Sequence, residues 1–133
     1  ARCCPVAAMR TMWRHPQRIA CQQIIALANA VAEKGVAYVY ETERRPPELV
    51  WSDWAERLAS QLAQGLDALE ARTPDTGWFG GDRPNGADAA VVATIDFLGT
   101  VSNLLPLRHV ARLQALSTRS RAIPAFDTTR PDA

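Results

Sequence analysis

The segment that most constrains the fold of this chain is residues 85–98, in which a helix-capping pair precedes an almost wholly apolar run. An asparagine side chain accepts hydrogen bonds from the free N–H groups of a first helical turn, and an acid three residues later can accept from the asparagine amide. Asn85 and Asp88 have this spacing and predict a structural cap. Because only Thr94 and Asp96 are polar in the ten residues that follow, we expect a helix buried on nearly all sides.

The composition is typical of one soluble globular domain. The chain has 133 residues, of which 47% are hydrophobic and 22% charged, and this length can bury a substantial core. Its 15 basic and 14 acidic residues are interleaved and give a net charge of +1, which disfavours binding to nucleic acid. No leader pattern opens the chain, and no apolar run reaches the roughly 18 residues of a membrane span. We therefore expect a cytoplasmic protein without a membrane partner.

The cysteines and histidines predict neither a disulfide framework nor a metal site. Cys3 and Cys4 are adjacent, Cys21 lies on a predicted helix, and no CxxC spacing occurs. His15 and His109 have no metal-ligating partners at useful spacings. Three reduced thiols fit an intracellular location.

The chain divides into a linker or lead-in segment, residues 1–15, and a helical domain, residues 16–133. The first helix of that domain is predicted to start at Pro16, because a proline at the first helical position loses no hydrogen bond. It is predicted to end near Glu43, ahead of two consecutive prolines. Gly35 is a point at which this helix is expected to bend.

Apolar residues give the first helix a broad buried face with room for two neighbouring helices. They form two adjacent stripes, one of Ile24, Leu27, Val31 and Tyr38 and one of Ile25, Ala28, Ala32, Val36 and Val39. The remaining polar face carries Asn29, Glu33 and Tyr40 at spacings of four and seven residues. Their spacing places these three residues on one face of the helix.

Two further helices are expected besides the capped one, and no strand. Ser52 is predicted to cap a helix whose buried stripe is Trp54, Leu58, Leu62, Leu66 and Leu69. Trp78 and Phe79 are expected to anchor the loop at 70–84, and the tail from Ile123 is expected to turn and then run extended. A last helix is marked by Leu107, Val110, Leu113 and Leu116. The sequence thus predicts an all-α bundle of four to six helices around a central buried helix.

Three blocks of sequence resemble the helical C-terminal domain of the cytosolic glutathione transferases. One is the cap, in which Asn85 replaces the usual Ser or Thr and Asp88 matches. The second resembles a closing "R…RPAF..T.P" signature, with Ile123 where arginine is common, and comprises Leu113, Arg119, Pro124-Ala125-Phe126, Thr129 and Pro131. The third resembles bacterial members with a "YE..RP.E" turn and an "LDALE" ending, and comprises Tyr40-Glu41, Arg45-Pro46-Pro47-Glu48-Leu49, Trp54 and Leu66-Asp67-Ala68-Leu69-Glu70.

The resemblance implies a helical half that supplies, mainly from its first helix, the pocket for a small hydrophobic electrophile. Asn29, Glu33 and Tyr40, which share one face of that helix, are then the candidates for lining this substrate pocket, and the alternative is an ordinary solvated face. In the family, a thioredoxin-like domain holds the co-substrate glutathione and activates its thiol, and no stretch of this sequence alternates strand and helix in that way. We therefore assign no catalytic residue and no bound cofactor to this chain, and we expect it to have little or no activity alone. The resemblance also implies a contact near Asn29 to glutathione, where the family often has an acid, and a possible homodimer.

Two other interpretations remain open. The same domain type serves as a docking surface in translation factors and tRNA synthetase complexes, so the chain could be a non-catalytic interaction module. A helical protein of unrelated family is the third possibility, and the arrangement of the helices distinguishes it.

Overall fold

The computed structural model describes residues 16–130, so the predicted linker at 1–15, with Cys3 and Cys4, lies outside the described residues. Five α-helices follow one another: α1 (Pro16–Val39), α2 (Ser52–Arg72), α3 (Gly86–Thr100), α4 (Ala111–Ser120) and α5 (Pro124–Asp127). A π-helical turn, Tyr40–Arg44, extends α1, and short 3₁₀ turns occupy Pro47–Leu49 and Ser102–Leu104. The all-α prediction is confirmed: within 16–130 the only β-type pairing is an isolated bridge between Trp78 and Gly81.

The core lies where α1, α2 and α3 meet. α1 packs against both α2 and α3, as its broad apolar face predicts, and α4 packs against α3 and α2. The leucine stripe of α2 is buried, whereas Val36, predicted on the apolar face of α1, is 39% exposed. The buried cluster comprises Ile24, Ala28, Val31, Leu62, Leu66, Leu69, Ala87, Val91, Val92, Leu98, Leu105, Val110, Leu113 and Leu116.

Two glycines allow α1 to approach its neighbours closely. A Cβ atom added at Gly65 of α2 would lie 2.5 Å from Val31 Cγ2, and one added at Gly35 of α1 would lie 2.7 Å from Leu98 Cδ2. α1 continues through Gly35 as an α-helix to Val39. The structure therefore gives Gly35 a packing role against α3 in place of the expected bend.

The capped helix packs within the bundle as predicted, but one side of it is open. Val91 and Leu98 of α3 are buried against α1 and α4, but Ala89 and Ala93 are exposed. This open side faces a cavity of about 500 Å³ that Phe126 also lines. The exposed residues of α3 are small and apolar like the buried ones. The sequence pattern therefore could not show which side of the helix stays uncovered.

The start of α4 also differs from the prediction. Leu107 and Val110 precede the helix, which begins at Ala111 with no side-chain cap of its own. Its first amides are instead bound by α2: the N–H groups of Arg112 and Leu113 donate to the two carboxylate oxygens of Glu70, at 2.8 and 3.0 Å. A capping group from another helix therefore fixes where α4 starts.

Ser52 is the first residue of α2 and not its cap. The residue at the cap position is Trp51, and no side chain makes a capping hydrogen bond there. The Ser52 hydroxyl lies 3.5 Å from Asp53 Oδ1, a contact too long to be strong.

The loop at 70–84 is anchored by its aromatic residues, as predicted. The ring of Trp78 stacks on Phe126 with centroids 6.2 Å apart and planes inclined by 16°. The guanidinium of Arg119 lies 6.0 Å from the Trp78 ring centroid and donates to the carbonyls of Gly77 and Pro74. Phe126 belongs to the short helix α5, which lies where the sequence predicted a turn; Pro124, at its first turn, suits a helix start.

A polar network ties the end of the described chain to the bundle. Arg130 pairs with Asp96 of α3 at 3.3 Å and donates to the Ser117 carbonyl of α4 at 3.0 Å. The Ser117 hydroxyl donates to Asp96 Oδ1 at 2.6 Å. These bonds join α3, α4 and the segment after α5. Among residues 16–130, no helix combines the length and apolar character needed to cross a bilayer.

Candidate functional site

The three residues predicted to line a pocket all lie on the exposed side of the first helical element. Asn29 and Glu33 are exposed on α1, and Tyr40, at the start of the π-turn, is 65% exposed. With a rise of about 1.5 Å per residue, Asn29 lies roughly 16 Å along the axis from Tyr40. A ligand that touches both Asn29 and Tyr40 would therefore have to span about this distance.

Of the three, Tyr40 lines a surface crevice. This crevice, which we call the Tyr40 crevice, has a volume of about 430 Å³ and lies where the end of α1 meets the start of α2. Its lining comprises Ala37, Tyr40, Glu41, Arg44, Arg45 and Trp54. Asn29 and Glu33 are not among these residues.

The π-turn shapes the crevice. The Arg45 N–H donates to the Tyr40 carbonyl at 3.1 Å, which is the i+5 bond of a π-helix, and the Thr42 hydroxyl donates to the Tyr38 carbonyl at 3.1 Å. A π-turn holds one more residue than an α-turn, and such turns often occur at functional sites. The predicted helix end near Glu43 is close to the observed end at Arg44, but the sequence did not reveal the change of helix type.

Glu41 holds the crevice together. Its side chain is buried, and one carboxylate oxygen accepts from the Trp51 N–H at 2.8 Å. The other oxygen pairs with the guanidinium of Arg45 at 3.0 Å. A buried carboxylate is stable only when it is paired and hydrogen-bonded, and Glu41 meets both conditions. This carboxylate therefore links the π-turn to the start of α2.

The sequence analysis quoted Glu41 only as part of the "YE..RP.E" resemblance and gave it no role. The available signal was an acid followed four residues later by an arginine, which is the spacing of a helical ion pair. Its second partner, the backbone of Trp51, could not be inferred from spacing.

The crevice joins aromatic surface to positive charge. Tyr40 and Trp54 supply rings, while Arg44 and Arg45 supply two guanidinium groups against the single carboxylate of Glu41. Glu41 is already used by Arg45, so the wall carries a net positive charge. Such a surface can hold an aromatic compound that bears a negative group.

The Asn85 and Asp88 side chains form a complete capping box at the start of α3. They lie near the first turns of α1, whereas the Tyr40 crevice lies at the other end of that helix. The Asn85 side chain accepts from the Ala87 N–H at 2.8 Å, and Asp88 Oδ2 accepts from the Asn85 N–H at 2.8 Å. Asp88 is fully buried, and its second oxygen accepts from the Phe79 N–H at 3.0 Å. The pair thus fastens the aromatic loop to α3.

The reactive groups of the described chain are few. The Cys21 thiol lies 3.6 Å from Asn85 Oδ1 and donates to the capping side chain. Residues 16–130 hold no cluster of three or more His, Cys, Asp or Glu side chains placed to bind a metal ion.

The described residues thus form an all-helical bundle with a capped third helix and an aromatic, cationic crevice at the end of its first helix. The family model "Glutathione S-transferase, C-terminal domain" matches residues 52–118, about half of the chain. The chain therefore belongs to the glutathione S-transferase C-terminal domain family, which confirms the resemblance predicted from the sequence.

A solved structure shows the same fold. The chain matches a glutathione S-transferase from Methylobacterium radiotolerans JCM 2831, whose structure contains glutathione sulfonate, with a TM-score of 0.79 and 24% sequence identity. The match covers 90% of this chain and 57% of that transferase, so the chain spans little more than half of its relative's length. Among curated protein sequences, none matches this chain significantly.

Proposed function

We propose that this chain is the electrophile-binding helical half of a glutathione transferase and acts together with a thioredoxin-like half that holds glutathione. Family membership supports the assignment of the helical half, and the Tyr40 crevice is the observation that carries the role in binding. The solved relative contains glutathione sulfonate, which supports glutathione as the co-substrate of the complete protein.

In the proposed reaction, the sulfur of glutathione attacks an electrophilic carbon and displaces a leaving group such as chloride, and the thiol proton passes to solvent. The helical half contributes by orienting the electrophile. The rings of Tyr40 and Trp54 offer an apolar surface to it, and Arg44 offers a charge to a nitro group or a carboxylate.

We propose that Asn29 and Glu33 extend the binding surface from the Tyr40 crevice along α1 toward bound glutathione. Their exposure on α1 leaves them free to contact a second domain or a bound molecule, and the roughly 16 Å between Asn29 and Tyr40 allows one long bound conjugate to touch both. An amide at position 29 donates and accepts hydrogen bonds without the charge of an acid.

The binding role can be tested on this chain alone with S-(2,4-dinitrophenyl)glutathione, whose coloured ring quenches tryptophan fluorescence. We expect saturable quenching, and Tyr40→Ala should raise the Kd roughly 3- to 10-fold because an aromatic contact is lost. Leu49→Ala is the matched control, since Leu49 is 60% exposed and does not line the crevice. Equal weakening by both variants, or no saturable binding, would contradict the proposed role of the crevice.

The same chain should not catalyse conjugation. With glutathione and 1-chloro-2,4-dinitrobenzene, we expect the rate to equal that of the uncatalysed reaction, because no described residue is placed to activate a thiol. Turnover well above that rate would refute the proposal that this chain supplies only the binding half.

A non-catalytic docking module is the second candidate, and the exposed apolar residues near the α1–α2 turn favour it. Trp51 is 63% exposed and Leu49 is 60% exposed, and both lie outside the Tyr40 crevice. Retention of the complete gene product on immobilised glutathione separates the two functions, since a docking module should not be retained. The homodimer and the cytoplasmic location stay predictions; sedimentation equilibrium of the complete protein tests the former.

A further inference from the structure

One cavity of the described structure plays no part in the function proposed above. It has a volume of about 730 Å³ and lies between the second half of α3, the segment at 101–110 and α4; we call it the α3–α4 cavity. This volume is within the range of sites that hold small organic molecules. The α3–α4 cavity shares no lining residue with the Tyr40 crevice.

One side of the α3–α4 cavity is apolar and firmly packed. Leu66, Leu98 and Val110 line it and belong to the buried core, and Ile95 and Leu107 add partly buried apolar surface. Because these side chains come from α2, α3 and the segment before α4, the apolar wall is fixed by several elements. Such a wall suits the hydrocarbon part of a ligand.

The charged residues of the same cavity are mostly positive. Three arginines, Arg108, Arg121 and Arg130, line it together with one acid, Asp96. Asp96 is already paired with Arg130 at 3.3 Å and accepts from the Ser117 hydroxyl, so its charge is compensated locally. Two cationic groups therefore remain without a compensating acid inside the cavity.

Arg121 is the cation best placed to receive an anion. Arg108 makes an ion pair with Asp67 at 3.4 Å outside the cavity lining. Arg121 has no hydrogen bond or ion pair from its side chain to any other residue in the described part of the chain. A guanidinium group presents parallel N–H donors that match the two oxygens of a carboxylate or sulfonate.

We propose that the α3–α4 cavity binds a small amphipathic organic anion. Its apolar body lies on the Leu66, Leu98 and Val110 wall, and its carboxylate or sulfonate group pairs with Arg121. The Arg130–Asp96 ion pair closes one side of the α3–α4 cavity. Both residues also line the cavity of about 500 Å³ beside α5, so the pair separates the two cavities. This separation limits the length of the ligand.

Octanoate and 1-octanol, which share an eight-carbon chain but differ in charge, test this proposal on the whole chain. We expect 1:1 octanoate binding by calorimetry, with amide shifts in nuclear magnetic resonance spectra at Gly99, Gln114 and Thr118. The charged group should make octanoate bind about tenfold more tightly than octanol. Equal binding of the two compounds, shifts centred on Tyr40, or no binding at millimolar concentration would overturn the proposal.

Variants separate a specific site from general attraction to a basic surface. Arg121→Gln should weaken octanoate binding about tenfold and leave octanol binding unchanged. Arg57→Gln removes an equal charge from an exposed position on α2 outside the cavity and should change neither. Equal losses from both arginine variants would show nonspecific attraction and overturn the proposal.

Thr118→Trp tests the location sterically. Thr118 is exposed on α4 and lines the cavity, so a large ring there should block octanoate while the fold is retained, which circular dichroism checks. Unchanged octanoate binding in a folded Thr118→Trp variant would overturn the location. None of these measurements involves glutathione, so their outcome is independent of the transferase proposal.

Discussion

At the scale of single residues, carboxylates that accept hydrogen bonds from backbone N–H groups carry much of the specificity of this fold. Asp88, Glu41 and Glu70 each use both carboxylate oxygens, and at least one partner of each is a backbone N–H. Ionised acceptors make shorter and stronger hydrogen bonds than neutral ones, and a donor left without a partner is costly. A carboxylate that serves two donors therefore fixes two segments of backbone relative to each other.

The Asp88→Asn variant tests this directly. Asparagine offers one acceptor oxygen where Asp88 offers two, so the N–H of either Phe79 or Asn85 would face an NH₂ group. We expect the free energy of unfolding to fall by about 1–3 kcal/mol, as measured by urea denaturation. Asp82→Asn, an equal change at an exposed position of the loop that precedes α3, should cost less than about 0.5 kcal/mol. Similar losses of unfolding free energy in both variants would mean that the destabilisation comes from the lost charge and not from the lost acceptor oxygen.

At the scale of elements, helix ends are completed by other helices as well as by local sequence. α3 has a local capping box, whereas α4 receives its capping carboxylate from Glu70 near the end of α2. The carboxylate also lies near the positive end of the α4 dipole, which adds to the stabilisation. The "LDALE" ending thus has a structural purpose, because its glutamate positions the following helix.

Glu70→Ala should expose the first turn of α4. We expect a loss of about 1–2 kcal/mol in the free energy of unfolding, similar to the loss of a cap residue. Hydrogen exchange gives a more specific measurement: the amides of Arg112 and Leu113 should exchange faster, with smaller changes in α1. Glu56→Ala, at an exposed position on α2, is the control. Unchanged exchange at Arg112 and Leu113 would show that Glu70 is not the effective cap.

At the scale of the whole molecule, the bundle depends on how closely α1 and α2 approach. Gly65 has no side chain at the point where Val31 of α1 meets α2, and a methyl group there would fall 2.5 Å from Val31 Cγ2. The two helices would have to separate or Val31 would have to move within a filled core. This packing also sets the position of the Tyr40 crevice, which lies where α1 and α2 join.

A pair of glycine variants separates packing from helix propensity. Alanine is favoured over glycine inside a helix by about 0.5–1 kcal/mol. Gly99→Ala meets no atom within 4 Å and should be neutral or stabilising by up to this amount. Gly65→Ala should instead destabilise by about 1–3 kcal/mol through overpacking, and Val31→Ala in the same chain should recover part of that loss. Stabilisation by Gly65→Ala in urea denaturation would contradict the close approach.

From the sequence we could predict the all-α class, the buried stripe of α2, the anchoring of Trp78 and Phe79, and the family. These features depend on the order of residues along the chain: helical periodicity repeats every three or four residues, and the family's blocks follow one another in a fixed order. The capping box of Asn85 and Asp88 is of the same kind, since all its atoms lie within four residues.

The sequence could not predict which side of α3 stays open, where α4 begins, or what Glu41, Glu70 and Arg130 contact, because these features depend on how the helices pack. Glu70 binds amides 42 and 43 residues later, and no periodic pattern encodes such a distance. The same limit applies to binding surfaces: spacing placed Asn29, Glu33 and Tyr40 on one face, but the crevice depends on Trp54 arriving from another helix. Helix faces are set by neighbours in sequence, whereas cavities and cross-helix caps are set by neighbours in space.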